Sequence, residues 1–108
     1  MRRAKSETLR RRADSIAALE EIPNIGPSIA DDLRLIGIHE PADLVGEQPD
    51  ELYRSLSAAT RTRQDPCVLD VFISAVRFME GAPPRPWWHY TAERKRRYAA
   101  VTARVGGP

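Results

Sequence analysis

The residues best suited to chemistry lie in one short loop between two apolar segments. The loop combines two prolines, an asparagine and a glycine in the run Ile22-Pro23-Asn24-Ile25-Gly26-Pro27-Ser28. Asn24 tolerates a positive φ and Gly26 adopts any backbone conformation, so the chain can turn sharply here. We expect the N–H groups around Ile25, Gly26 and Ser28 to be free at a helix N-terminus. That arrangement favours an anion such as a phosphate.

Two helices are needed to position this loop. Apolar residues at helical spacing predict a first helix over about 7–21, which Pro23 ends. The second helix begins at Pro27, since a proline in the first helical turn loses no hydrogen bond. Gly37 is placed as the C′ residue of that helix, with Ile38 folding back onto its last turn.

This pattern, with the small residue Ala30 at the fourth helical position, is typical of a helix-hairpin-helix motif. Asn24 stands where the motif usually has its first glycine. Proteins with this motif usually hold a duplex phosphate without reading base sequence. Alternatively, the loop is only a compact αα-hairpin used for packing. Ser28 replaces a frequent Lys or Arg, and Asp31 and Asp32 follow within a turn, which favours the packing alternative.

The net charge of +2 conceals two basic ends around an acidic middle. Residues 1–12 carry six basic residues and one acidic residue, and residues 85–108 carry the same numbers. The candidate phosphate contacts among them are Arg10, Arg11, Arg12, Lys95, Arg96 and Arg97. Basic arms around a fold are typical of nucleic-acid-binding proteins and add salt-sensitive attraction. Alternatively, the arms fold onto the acidic residues of 13–84.

The rest of the chain is also predicted to be helical. Pro41 begins a short turn that Gly46 closes, and Pro49 begins a further helix, so that a second, degenerate hairpin follows the first. The most apolar segment predicts a central core helix over Pro66–Met79. The sequence therefore predicts an all-α fold of about five to six helices. Its parts are the basic end of the first helix at 1–12, the helix-hairpin-helix core at 13–81, and a Pro- and Trp-containing segment with a basic helix at 82–108.

Two adjacent tryptophans follow a proline-rich stretch that cannot be helical, residues 82–86. Trp87 and Trp88 are expected to pack over the core as a lid. The alternative is a stacking surface for nucleic-acid bases or an anchor for a partner protein. Thr91 is the expected cap of a final helix over about 92–104.

Cys67 is the one candidate nucleophile, because it lies in the first turn of the helix that Pro66 begins. A buried packing role is the alternative, and no histidine is adjacent to activate the sulfur. One cysteine and two histidines do not support a structural zinc site. We therefore predict no catalytic residue, no metal, no cofactor and no small-molecule substrate.

A length of 108 residues indicates one domain, and 30% charged residues are ordinary for a soluble protein. No apolar run is long enough to span a membrane, so a cytoplasmic protein without membrane contact is expected.

Several motifs together resemble one family. They are the run at 22–28, Leu35-Ile36-Gly37-Ile38, Arg63-Gln64-Asp65-Pro66-Cys67 with Asp70-Val71-Phe72, and Trp87-Trp88. In this order they resemble the small bacterial pathogenicity locus family, often labelled mitomycin resistance protein, over about residues 13–95. The resemblance implies a helix-hairpin-helix domain with a connection to DNA, and supplies no catalytic residue. The leading hypothesis is a non-enzymatic module that binds nucleic acid, DNA rather than RNA. The second is a protein-interaction adaptor that keeps the fold without binding nucleic acid.

Overall fold

The structure, a computed structural model, describes residue 12 and residues 15–102, with only the backbone described at 102. Within that part every regular element is helical, which confirms the predicted all-α class. The α-helices are α1 (Pro27–Leu35), α2 (Pro49–Thr60), α3 (Pro66–Met79), α4 (Thr91–Arg97) and α5 (Ala99–Thr102). Three 3₁₀ turns accompany them, at Leu19–Glu21, Pro41–Leu44 and Trp87–Tyr90.

Helix α3 is the centre of the core, and its predicted bounds are confirmed. It begins where Asp65 caps it, the carboxylate accepting a 2.9 Å hydrogen bond from the N–H of Cys67. It ends at Gly81, whose φ is +107°. Residues on all sides of α3 are buried, because α2, α4 and the 3₁₀ turns at Pro41–Leu44 and Trp87–Tyr90 pack against it. The largest fully buried side chains of the core include Leu19, Leu33, Leu44, Leu56, Leu69, Phe72 and Ile73.

The predicted end of α1 is also confirmed. Gly37 has a φ of +97°, a conformation that glycine adopts without steric cost. The N–H of Ile38 donates to the carbonyl of Leu33 at 2.9 Å, and the N–H of Gly37 donates to Arg34 at 3.1 Å. These are the two bonds of a Schellman motif, and they fold Ile38 back into the core.

The prediction of one continuous helix over 7–21 is wrong at its C-terminal end. Ile16 and Ala17 are not helical, and Ala18 is extended at φ −126° and ψ 151°. A single 3₁₀ turn follows. In such a turn residues three apart lie on the same face, so Leu19 and Ile22 both enter the core. The part of that predicted helix at 7–11, 13 and 14 lies outside the described residues.

The prediction of a helix over 92–104 is wrong in two respects. The helix breaks at Tyr98, which is buried with a φ of −122°, and resumes as α5. The break lets the Tyr98 ring pack against the core instead of following the helical face. Thr91 is the first helical residue and no cap, since its hydroxyl donates to Asp70 Oδ2 at 2.7 Å. Residues 103–108 lie outside the described part of the chain.

None of the helices in the described ranges has the length and apolar character needed to cross a membrane.

Candidate functional site

The loop that precedes α1 has the sharp turn that its sequence predicts. Asn24 occupies the left-handed region at φ +74°, while Gly26 has a φ of −91° and makes no use of glycine's freedom. The N–H of Ile25 donates to the carbonyl of Ile22 at 3.1 Å, and the Ile25 side chain is buried. The expectation of a free N–H at Ile25 is therefore wrong, because the turn itself uses that donor.

Three other N–H groups of the loop are unpaired. Those of Gly26, Ser28 and Ile29 make no hydrogen bond to any residue that the structure describes, and Pro27 has no N–H to offer. Gly26 and Ser28 are exposed to solvent, and the first turn of α1 contains no acidic residue. The loop therefore presents three backbone donors at the positive end of a helix dipole. Ile29 was not among the predicted contacts, although its position at N3 of a Pro27-initiated helix would have identified it.

Asn24 fixes this loop to the rest of the fold. Its Nδ2 donates to Ser74 Oγ of α3 at 3.0 Å and to the carbonyl of Arg85 at 2.7 Å. Both amide hydrogens are thus used, and Ser74 is only 2% exposed. The second bond brings the proline-rich segment, with the exposed residue Arg85, next to the loop. Arg85 was not predicted, because only this contact across 61 residues reveals its position.

The two carboxylates that opposed phosphate binding lie beyond the first turn of α1. Asp31 pairs with Arg34 at 3.0 Å, and the same guanidinium binds Glu20 at 2.9 Å. The hydrogen bond from Arg34 lowers the pKa of Glu20. Burial, followed by the charge of Asp31, raises the pKa of Asp32. Asp31 is therefore compensated, whereas Asp32 has no ion pair to a described residue.

The basic N-terminal end is described only at Arg12, because Arg10 and Arg11 lie outside the described residues. Arg12 donates to the carbonyls of Phe78 and Ala82, the second at 3.2 Å. Its guanidinium also lies 3.8 Å from the centroid of the Phe78 ring. These contacts occupy the C-terminal end of α3, so Arg12 stabilises the fold there.

The basic C-terminal segment divides into paired and exposed residues. Arg97 binds Glu93 at 3.2 Å, and Arg77 of α3 binds the same carboxylate. Burial opposes ionisation of Glu93, but the two guanidinium groups hold its pKa below the usual value. Lys95 and Arg96 are exposed and make no ion pair with a described residue.

A buried ion pair joins α4 to the core. Arg94 Nε donates to Asp70 Oδ1 at 2.8 Å, and Asp70 is completely buried. The hydroxyl of Thr91 satisfies the other carboxylate oxygen. This part of the basic segment does fold onto an acidic residue, as the alternative interpretation of the arms proposed.

The two tryptophans have different environments. Trp87 is half-buried and packs against the core, as expected of a lid. Trp88 is 64% exposed and therefore does not pack over the core as a lid would. Their rings meet edge to face with centroids 5.6 Å apart.

Cys67 is half-buried near the capping residue Asp65. Burial first, and then the hydrogen bond with Asp65, raises the pKa of the thiol. A raised pKa lowers the thiolate fraction at neutral pH and opposes nucleophilic chemistry. Among the described residues no group of three or more His, Cys, Asp or Glu side chains is arranged to hold a metal ion.

Comparison with known proteins identifies the family. Residues 12–96 match the sequence model of the family described as pathogenicity locus. The mitomycin resistance protein McrB of Streptomyces lavendulae is 53% identical over 78 residues, which cover 72% of this chain and 74% of that protein. No solved structure matches the chain. The expected resemblance is thereby confirmed, and the chain belongs to the pathogenicity locus family.

Proposed function

We propose that this protein binds nucleic acid, DNA in the first instance, through backbone phosphates and without reading base sequence. The observation that supports this most directly is the set of unpaired N–H groups at Gly26, Ser28 and Ile29. They lie at the N-terminus of the nine-residue helix α1, where the dipole favours an anion. Asn24 holds the loop in this conformation before any ligand arrives, so little ordering entropy is lost on binding.

The surrounding charges support the same proposal. Arg85 is held next to the loop by Asn24, and exposed Lys95 and Arg96 add long-range attraction. The helix-hairpin-helix interpretation also supports it, with the left-handed residue at Asn24 and the helix start at Pro27. In this protein the element directly before the loop is the 3₁₀ turn Leu19–Glu21.

A fluorescence-anisotropy titration with a labelled duplex and a labelled single strand, at low and physiological salt, tests the proposal. The decisive variant is Gly26→Glu. It is expected to fold, because the φ of −91° suits any residue and an added Cβ meets nothing within 4 Å. We expect binding to fall steeply with salt, and Gly26→Glu to weaken it by about tenfold or more.

Ser55→Glu is the matched control. It adds the same charge at an exposed position in the middle of α2 and is expected to change affinity by less than about twofold. If both variants weakened binding equally, the loss of affinity would be explained by the change in net charge alone. If Gly26→Glu bound as tightly as the wild type, the phosphate contact would lie at the basic ends and not at the loop. The absence of binding at low salt would refute the proposal.

A second candidate function is that of a protein-interaction adaptor. Exposed Trp88 and Leu35, 64% and 59% accessible, favour it as anchors for a partner. The internal pairing of Arg12, Arg94 and Arg97 favours it too, because it leaves fewer cations for phosphates. Sedimentation at rising protein concentration tests self-association directly. Salt-insensitive self-association without nucleic-acid binding would support this function over the first.

We infer a non-enzymatic role in the cytoplasm for either function. The raised pKa of the Cys67 thiol supports the non-enzymatic part of this inference, because it lowers the thiolate fraction at neutral pH. Alkylation of the folded protein over a range of pH should show a thiol pKa at or above the ordinary value. A thiol that is labelled rapidly below neutral pH would contradict it.

A further inference from the structure

One side chain holds Trp88 close to the loop before α1. Asn24 Nδ2 lies 2.7 Å from the carbonyl oxygen of Arg85, and Trp88 follows Arg85 by three residues. Three residues of extended chain span at most about 11 Å. Pro86 between them is extended, at φ −66° and ψ 152°, so the connection is stiff. The backbone of Trp88 therefore lies within about 11 Å of the carbonyl that Asn24 binds, a distance that a few nucleotides of a strand can span.

The local structure leaves the Trp88 ring available. Trp87 and Tyr90 of the same 3₁₀ turn are drawn toward the core, and Tyr90 is only 4% exposed. Trp88 remains 64% exposed, although it is the largest side-chain type and contributes most when covered. The Trp87 and Trp88 rings meet edge to face with centroids 5.6 Å apart. An exposed indole is a suitable surface for a flat aromatic ligand.

We propose that Trp88 stacks on an unpaired base of a nucleic-acid strand whose backbone lies on the loop, so that the preferred ligand is single-stranded. This inference rests on the proposed function. The charge near Trp88 fits such a ligand, because Arg85 is exposed, precedes Trp88 by three residues and is bound through its carbonyl to Asn24 of the loop. In a duplex the faces of the bases are covered by their neighbours, whereas a single strand offers them to an aromatic side chain.

The test uses Trp88 as its own reporter. The chain has two tryptophans, so Trp87→Phe leaves Trp88 as the sole indole and keeps an aromatic ring against the core. This variant is titrated with four oligonucleotides of equal length: a DNA strand, the same strand in RNA, the DNA duplex and an abasic DNA strand. We expect Trp88 emission to be quenched by the base-carrying single strands and not by the duplex. These strands should bind more tightly than the duplex and about tenfold or more tighter than the abasic strand. Binding of the DNA strand or the RNA strand that is tighter than that of the abasic strand supports the proposal. The tighter of these two strands identifies the preferred sugar.

Substitutions of Trp88 provide the second measurement. Trp88→Ala should lower the affinity for a single strand to that for the abasic strand, and change abasic binding by less than about twofold. Trp88→Phe should retain most of the difference in affinity between the base-carrying and the abasic strand, because a phenyl ring also stacks on a base.

Equal affinity for base-carrying and abasic strands, with no quenching, would overturn the stacking proposal. The proposed function would survive that result if Gly26→Glu still weakened both strands, and would fall with it if no oligonucleotide bound. A shift of Trp88 emission with protein concentration alone would place the indole against a second copy of the chain and also overturn the proposal.

Discussion

The chain contains the same local arrangement twice, with opposite consequences for an anion. In each copy a 3₁₀ turn leads into a short loop, and a helix then begins with proline, α1 with Pro27 and α2 with Pro49. The first turn of α1 has no acidic residue, whereas that of α2 contains Asp50 and Glu51. In the second loop the N–H of Gly46 already donates to Glu80 at 3.0 Å.

The difference shows that one backbone arrangement can present opposite electrostatic environments at its helix N-terminus. At α2 the chain's own carboxylates neutralise the helix dipole and would repel a phosphate. At α1 the corresponding positions are Ser28 and Ile29, which leave the backbone donors free of competing charge. The acidic first turn of α2 therefore opposes an anion at the second loop.

The largest expected effect on stability comes from removing the side-chain hydrogen bonds of Asn24, which have no counterpart in the second loop. Asn24→Ala removes two hydrogen bonds and leaves at φ +74° a residue that tolerates the left-handed region less well than asparagine. We expect the free energy of unfolding to fall by about 2–4 kcal/mol in urea denaturation. Asn24→Gly keeps the backbone conformation and should lose about 1–2 kcal/mol.

The matched change in the second loop is Gly46→Asn. Gly46 has a φ of +86°, which asparagine tolerates, and an added Cβ meets nothing within 4 Å. We expect a loss below about 1 kcal/mol. A loss at Gly46 as large as that of Asn24→Ala would show that the two loops do not differ in how they are held.

A smaller effect, with opposite signs for stability and binding, should follow when the first helix is given the charge of the second. Ser28→Asp places a carboxylate at the helical position that Asp50 occupies in α2. We expect a gain in stability of about 0.3–1 kcal/mol from the dipole. The nucleic-acid affinity should fall at the same time, as measured by anisotropy.

Asp50→Ser makes the reciprocal change. It should lower stability by a similar amount and leave nucleic-acid affinity within about twofold. If Ser28→Asp and Asp50→Ser had the same effect on binding, α1 and α2 would not differ as binding sites.

The smallest effect concerns Asp32, whose folded pKa is raised by burial and by Asp31. At a pH below the pKa of the unfolded state, the carboxyl is protonated in both states and its raised pKa does not change stability. As the pH rises through the pKa of the folded state, ionisation of the partly buried carboxyl lowers the free energy of unfolding. Asp32→Asn should therefore match the wild type near pH 3 and be slightly more stable at pH 7, by less than about 0.5 kcal/mol. Denaturation at both pH values checks this. A wild type that is the more stable of the two at pH 7 would contradict it.

Helix ends that are set by a capping residue, a proline or a glycine were predictable from sequence. The bounds of α3, the start of α2 at Pro49 and the end of α1 at Gly37 depend on capping, proline and glycine chemistry within a few residues. The break at Ala18 and the kink at Tyr98 were not predictable in this way. Both arise because a buried side chain must reach a core assembled from distant parts of the chain.

The candidate site was predictable in outline and not in its partners. The sequence indicated donors at Gly26 and Ser28, but the turn bond of Ile25 and the free donor of Ile29 depend on backbone geometry. The contact between Asn24 and Arg85 spans 61 residues. Similarly, Arg12 reaches the carbonyl of Phe78 across 66 residues, and no local pattern distinguishes it from a phosphate contact.

We propose that the unpaired N–H groups at the start of α1 receive a phosphate, and amide chemical shifts report this directly. A ¹⁵N–¹H correlation spectrum of the full chain would be recorded while a short oligonucleotide is added. We predict that the largest shifts occur at the amides of Gly26, Ser28 and Ile29, with the matching amides of Asp50 and Glu51 unchanged. Shifts absent from the first loop, or equal in the two loops, would contradict the account.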